Sequence, residues 1–144
     1  MFYDNRTDGS HTSIDALQGE YEDDLRAAIE EVGIDNGAEE TGIDRETLAT
    51  LLEGSLQDAD PSLSEAAAIQ SLAPGTPDAE EIVDLACDHL LLGMSNAILD
   101  VDGLDRRLDL DLGPKTIQRK IERRESMTFD EFVRFQHVIA REQA

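Results

Sequence analysis

Apolar residues recur at helical spacing along nearly the whole chain. Between residues 13 and 32 they fall at Ile14, Leu17, Tyr21, Leu25, Ala28 and Ile29, the three-and-four step that lines one face of a helix. Gly33 is placed to end that helix, and a short segment from Asp35 to Thr41 follows. Asp44 then stands as N-cap to a helix over residues 45–53, with Leu48, Leu51 and Leu52 on one face. Gly54 stops it, and Ser55 to Asp60 reads as a polar loop. Ser62 or Ser64 opens another helix through Leu72, and Pro74-Gly75-Thr76-Pro77 breaks the chain.

The second half begins with the longest apolar segment, Asp78 to Leu99. Apolar residues cover most of its circumference, which predicts a central helix buried on several sides and contacted by both halves. Short elements are expected at Val101 to Leu108 and at Pro114 to Arg124, the latter with Gly113 as N-cap and Pro114 in the first turn. Thr128 to Arg141 closes the chain. No segment alternates as a strand does. The pattern therefore predicts an all-α fold: a flexible polar N-terminus over 1–12, a first unit over 13–73, a linker at 74–77 and a second unit over 78–144, packed around the central helix.

Charge changes this picture more than composition does. The 144 residues include 33 acidic and 12 basic ones, a formal charge of −21, and only Lys115 and Lys120 are lysines. The acids are dispersed through the periodic segments, so they read as the solvated faces of folded helices and not as one disordered block. A dispersed, Asp-rich, Lys-poor surface resembles the cytoplasmic proteins of halophilic archaea, which implies a cytoplasmic location. With 4% aromatics and no Trp, Leu, Ile, Val and Ala must fill the core. No apolar run approaches the roughly 20 residues of a membrane span, and no signal-peptide core follows Met1. Cys87, the single cysteine, lies in an apolar stretch and reads as a small hydrophobe.

Two stretches match when laid together. Ile43-Asp44-Arg45-Glu46-Thr47-Leu48 through Glu53 follows the pattern of Leu112-Gly113-Pro114-Lys115-Thr116-Ile117 through Glu122, and Ser62-Leu63-Ser64-Glu65 through Leu72 follows Thr128-Phe129-Asp130-Glu131 through Val138. The first copy carries the longer loop. Each copy resembles a lambda-repressor-like, Cro-type helix-turn-helix unit, and the whole chain resembles a haloarchaeal family of unknown function. The first resemblance implies DNA binding by a third helix. The second copy departs from it at Leu108-Asp109-Leu110-Asp111-Leu112, where a glycine would ordinarily shape the turn.

The copies differ in charge. With Ile117 and Ile121 inward, a rotation of 100° per residue puts Lys115, Thr116, Arg119 and Arg123 outward, with Gln118 and Lys120 at the sides. Residues 101–124 hold seven of the twelve basic residues against five acidic ones, so this window is +2 and the rest of the chain −23. The first copy instead turns Glu46, Thr50 and Glu53 outward. A DNA interface would therefore use Lys115, Arg119 and Arg123 as main contacts, Thr116 and Gln118 as base readers, and Arg106, Arg107 and Lys120 on phosphates. A homodimer on double-stranded DNA would be expected, because one unit reads few base pairs.

Other chemistry is not indicated. Asp100, Asp102 and Asp105 around Gly103 mismatch a calcium loop, which needs an oxygen ligand where Leu104 stands. His11, His89 and His137 lack metal spacing, and no phosphate loop, nucleophile elbow or cofactor motif is present. The chain reads as a non-enzyme in one of two classes. A DNA-associated regulator requires the cations to form one open convex face. A helical protein-interaction adaptor, or an acidic DNA mimic, would leave them neutralised by neighbouring acids.

Overall fold

The computed structural model describes residues 1–5 and 13–143, and these form nine helices: α1 (Ile14–Val32), α2 (Ile34–Thr41), α3 (Arg45–Glu53), α4 (Leu56–Ala59), α5 (Leu63–Gln70), α6 (Ala79–Ala97), α7 (Val101–Arg107), α8 (Pro114–Ile121) and α9 (Phe129–Gln143). The fold is all-α.

The order of helices repeats. Each half runs from a 19-residue helix (α1, α6) through two short ones (α2 and α3, α7 and α8) to a closing helix (α5, α9). The extra helix α4 occupies the longer first loop. That loop had been expected to be irregular, but Ser55 caps a single turn there by accepting from the Asp58 N–H at 3.1 Å, and the turn buries Leu56.

A two-fold relation joins the halves at their closing helices. Leu63 N–H donates to the Met127 carbonyl and Phe129 N–H to the Pro61 carbonyl, both at 2.8 Å, so Ser62 and Thr128 form an antiparallel bridge. Both residues also cap their helices identically. Ser62 Oγ accepts from the Glu65 N–H and Glu65 returns the bond to the Ser62 N–H; Thr128 and Glu131 do the same, at matching distances of 3.0 and 2.9 Å. From these caps α5 packs on α6 and α9 on α1, each closing helix lying on the other half's long helix as well as its own. The halves therefore share one core.

Closeness at the α6–α9 crossing depends on Gly93: a Cβ there would stand 2.6 Å from Ile139 Cγ2. Around the crossing Ile82, Ala86, Leu90, Phe132, Phe135 and Ile139 are buried. At the C-terminus of α3 the Arg26 guanidinium donates to the carbonyls of Leu51, at 2.7 Å, and Gly54, with Glu22 as counter-ion.

The N-terminus corrects a sequence expectation. Residues 1–5 are not a frayed lead: Phe2 is 1% exposed, edge-on to Phe129 at 4.9 Å and to Phe132 at 5.7 Å. Its carbonyl accepts from Gln136 Nε2 at 3.0 Å, and the Tyr3 carbonyl contacts His89 Nδ1 at 2.7 Å. Two adjacent aromatics in an otherwise polar stretch leave no periodicity, which is why the pattern missed them. The rest of that expected segment, residues 6–12 with His11, lies outside the described residues.

The caps align Gln70 with Gln136, and their environments are opposite. Gln136 also accepts from the Tyr21 hydroxyl, whereas Gln70 is fully buried with neither amide atom hydrogen-bonded. A buried polar group left unpaired costs about 1–3 kcal/mol. Gln70→Met should accordingly raise the melting temperature by about 2–4 °C per kcal/mol recovered. Gln136→Met should lower it, because the Phe2 carbonyl and Tyr21 lose a partner. Thermal melts of both variants in molar salt decide this; a fall for Gln70→Met would mean that its amide has a partner.

Candidate functional site

The expected DNA-contact residues lie on α7, α8 and the turn after α8. Gly113, at φ 85°, caps α8 and donates its N–H to Asp105 Oδ1 at 3.2 Å, while Pro114 begins the helix. Ile117 and Ile121 are buried, which holds Lys115, Gln118 and Arg119 at the surface, with Thr116 half-buried. α7 lies at 93° to α6 and brings Arg106 and Arg107 to the same end of the molecule.

Most of these cations already have carboxylate partners. Arg107 pairs with Glu142 at 3.0 Å and donates to the Gly103 carbonyl. Arg119 stands 3.5 Å from Glu125, and Arg123, which leaves α8 at φ 65°, pairs with Asp84 on α6. Lys120 is held most tightly. Its ammonium donates to Glu131 at 3.0 Å and to the Ser126 carbonyl at 2.8 Å, with Glu125 at 3.6 Å, and its side chain is only 10% exposed. It ties the α8–α9 turn to the second capping box. The two candidate base readers are engaged as well, Thr116 Oγ1 accepting from Arg119 and Gln118 Nε2 donating to Glu122. Only Arg106 and Lys115 of the six predicted cations have no ion pair among the described residues.

Lys120, Arg123 and Arg124 border a shallow cleft of about 300 Å³ with Val83, Cys87 and Met127. Burial pushes the Cys87 thiol up to about 11, against a lowering by Arg123, so it stays protonated at neutral pH and behaves as packing. A larger groove of about 550 Å³ runs between the starts of α7 and α8, lined by Val101, Asp102, Leu112, Pro114 and Lys115. The described residues contain no group of three or more His, Cys, Asp or Glu arranged to hold a metal ion, and no single helix among them is long and apolar enough to cross a membrane.

Sequence reasoning overlooked an apolar surface next to that groove. The long helix α6 buries Ile82, Ala86, Cys87, Leu90, Gly93 and Met94, but Leu91 and Leu92 are about half exposed and Ile98 is 94% exposed. The helix is contacted by both halves as expected, through α5 and α9, but its burial on several sides does not extend to its C-terminal end. Ile98 also has φ 53° and ψ 51°, left-handed helical geometry that costs a β-branched residue roughly 1–2 kcal/mol. The equivalent position after α1 is Gly33, also at positive φ. A glycine suits that junction and an exposed isoleucine does not, so the fold alone does not account for Ile98.

A family model matches residues 17–142, which takes in every helix after the first turn of α1 and all of these side chains. The chain belongs to the DUF5791 family. It is a family of unknown function, so membership covers the whole two-fold arrangement without assigning it a task. No curated protein and no solved structure matches the chain.

Proposed function

We propose that this member of the DUF5791 family is a non-enzymatic helical adaptor that binds other proteins. The observation that carries this reading is the internal neutralisation of the second unit. Of the six cations that would face DNA, Arg107, Arg119, Lys120 and Arg123 are paired with Glu142, Glu125, Glu131 and Asp84. A phosphate would have to displace those carboxylates and then approach a surface whose net charge is −21. Surface pairs are individually weak, but acids placed beside four of the six cations interrupt any continuous positive track.

A DNA-associated regulator is the second reading, favoured by Lys115, Gln118 and Arg119 sharing the open face of α8. The two separate in a fragment-retention assay with a genomic library at about 1 M salt, where nonspecific binding is suppressed. The adaptor predicts no fragment above background, and direct binding of a purified protein partner recovered from the same extract. The regulator predicts specific fragments that Arg119→Glu loses by about 1–3 kcal/mol while Glu46→Arg on α3 retains them. Arg119→Glu should change stability by no more than about 0.5 kcal/mol, because the side chain and its partner Glu125 are both exposed.

A further inference from the structure

Resting on the adaptor reading, we propose that the exposed end of α6 is where the partner docks, and that the partner's matching surface is a basic amphipathic helix, its apolar side chains bordered by Lys or Arg.

Apolar exposure in this molecule is concentrated at one place. Leu91, Leu92 and Ile98 are exposed within eight residues, and among the described residues the only other exposed large apolar side chain is Met1. From His89 to Leu99 there is no Asp, Glu, Lys or Arg, in a chain with 45 charged residues among 144. A rotation of 100° per residue sets Leu91 and Ser95 on one stripe of α6 with Asp84 and Asp88, the turns before them, and all four are exposed.

The internal two-fold supplies a control for this surface. Counting back from the ends of the two 19-residue helices, Leu91, Ser95, Asn96 and Ile98 correspond to Arg26, Glu30, Glu31 and Gly33. Glu30 and Glu31 are exposed, as an acidic surface helix should be. A long helix in this fold therefore does not need apolar residues at that place.

Charge on both flanks selects the occupant. Residues 78–88 carry five carboxylates and no Lys or Arg, and residues 100–115 carry five carboxylates against three cations. Both borders of the neutral stretch are thus net acidic. A second copy, a nucleic acid or an anionic membrane would set like charge against like, whereas Lys or Arg beside an apolar stripe sets opposite charges in contact. Asp88 and Asp100 have no ion pair among the described residues, although Asp100 accepts from the Gly103 N–H at 2.8 Å as the cap of α7. Both remain open to a partner's cations. Charge alone does not suffice, because in molar salt the Debye length is about 3 Å and the apolar contact must supply most of the attraction. An amphipathic helix laid against α6 provides both.

The test is fluorescence anisotropy of the full chain with three labelled synthetic peptides of about 18 residues in about 1 M KCl. One is a Leu/Lys helix with Leu on a single face, the second has Glu in place of Lys, and the third has the same number of Lys with Ser and Ala in place of Leu. The Leu/Lys helix is expected to bind at least about tenfold more tightly than either of the others. Ile98→Asn removes the exposed side chain at a position whose left-handed geometry Asn tolerates, so it should raise the melting temperature while weakening that binding about tenfold. A loss of binding with a gain in stability cannot come from misfolding. Asp88→Asn combined with Asp100→Asn, which keeps the helix cap, should weaken it about threefold, whereas Glu30→Gln combined with Glu31→Gln on α1 should leave it unchanged. No binding, equal binding of the three peptides, binding indifferent to Ile98→Asn, or an equal loss in the Glu30 and Glu31 variant overturns the proposal. So does sedimentation equilibrium showing that the chain pairs with itself through Ile98. The adaptor reading falls if the extract yields no protein partner; this site alone falls if a recovered partner binds Ile98→Asn as tightly as wild type.

Discussion

Replacing Phe2 by Ala is expected to destabilise the protein by about 3–5 kcal/mol, the cost typical of deleting a buried aromatic ring. Phe2 lies at the centre of an aromatic group that includes Tyr3, Tyr21, Phe129 and Phe132, and it is almost wholly buried. Its backbone is fixed there too, since the Phe2 carbonyl is a partner of the buried Gln136 amide. Losing the ring leaves a cavity between α1 and α9, the junction where the halves exchange helices. Against a total stability of about 5–15 kcal/mol, that is a large fraction. Phe2→Leu should cost clearly less, because it refills part of the space. Denaturant titrations at constant high salt measure both. A Phe2→Ala variant within about 0.5 kcal/mol of wild type would show that the segment is not docked in solution.

The helices were legible because each carries its own period and its own punctuation. Gly33, Gly54, Gly113 with Pro114, and the Pro74 to Pro77 break sit at the boundaries the structure shows. The capping boxes at Ser62 and Thr128 were legible as a repeat. Their meeting was not, because the bridge between them spans 66 residues and depends on backbone atoms that sequence does not distinguish. The candidate site was legible only in part, and for the same reason. Helical geometry placed Lys115, Gln118 and Arg119 on the surface of α8. It could not show that Asp84, 39 residues earlier, would meet Arg123, or that Glu142 would meet Arg107. Ile98 was hidden differently. It continues an apolar run, so its side chain reads as core, and only the turn of the backbone into left-handed geometry after Ala97 carries it out of the core.

Removing salt should unfold the molecule, and the structure shows why the effect should be large. The carboxylates are distributed over the surface of both halves, and the cations that offset them form mostly exposed pairs, each worth about 0–1 kcal/mol. At about 1 M salt the Debye length is about 3 Å and each carboxylate interacts only with its immediate neighbours; at about 0.01 M it reaches about 30 Å, comparable to the whole molecule. The folded state then bears the mutual repulsion of all 21 excess charges, which the expanded chain relieves. Dialysis from molar to millimolar KCl at neutral pH should abolish most of the far-ultraviolet helical signal, and restoring KCl should recover it. Mild acid should partly replace salt. Asp24 shows the sign: partial burial raises its pKa above the ordinary 3.8, helped by Glu20, Asp23 and Asp4 and opposed by the N-terminal ammonium. The folded state therefore holds that proton more tightly than the unfolded chain. Its contribution to stability is complete below the ordinary value and is lost as pH rises through the raised one. At low salt, helicity should thus return as pH falls toward the isoelectric value of about 4.2, where the net repulsion vanishes. Helicity and melting temperature unchanged across the salt series would show that the acidic surface does not limit stability, and the salt-adapted reading would then be abandoned.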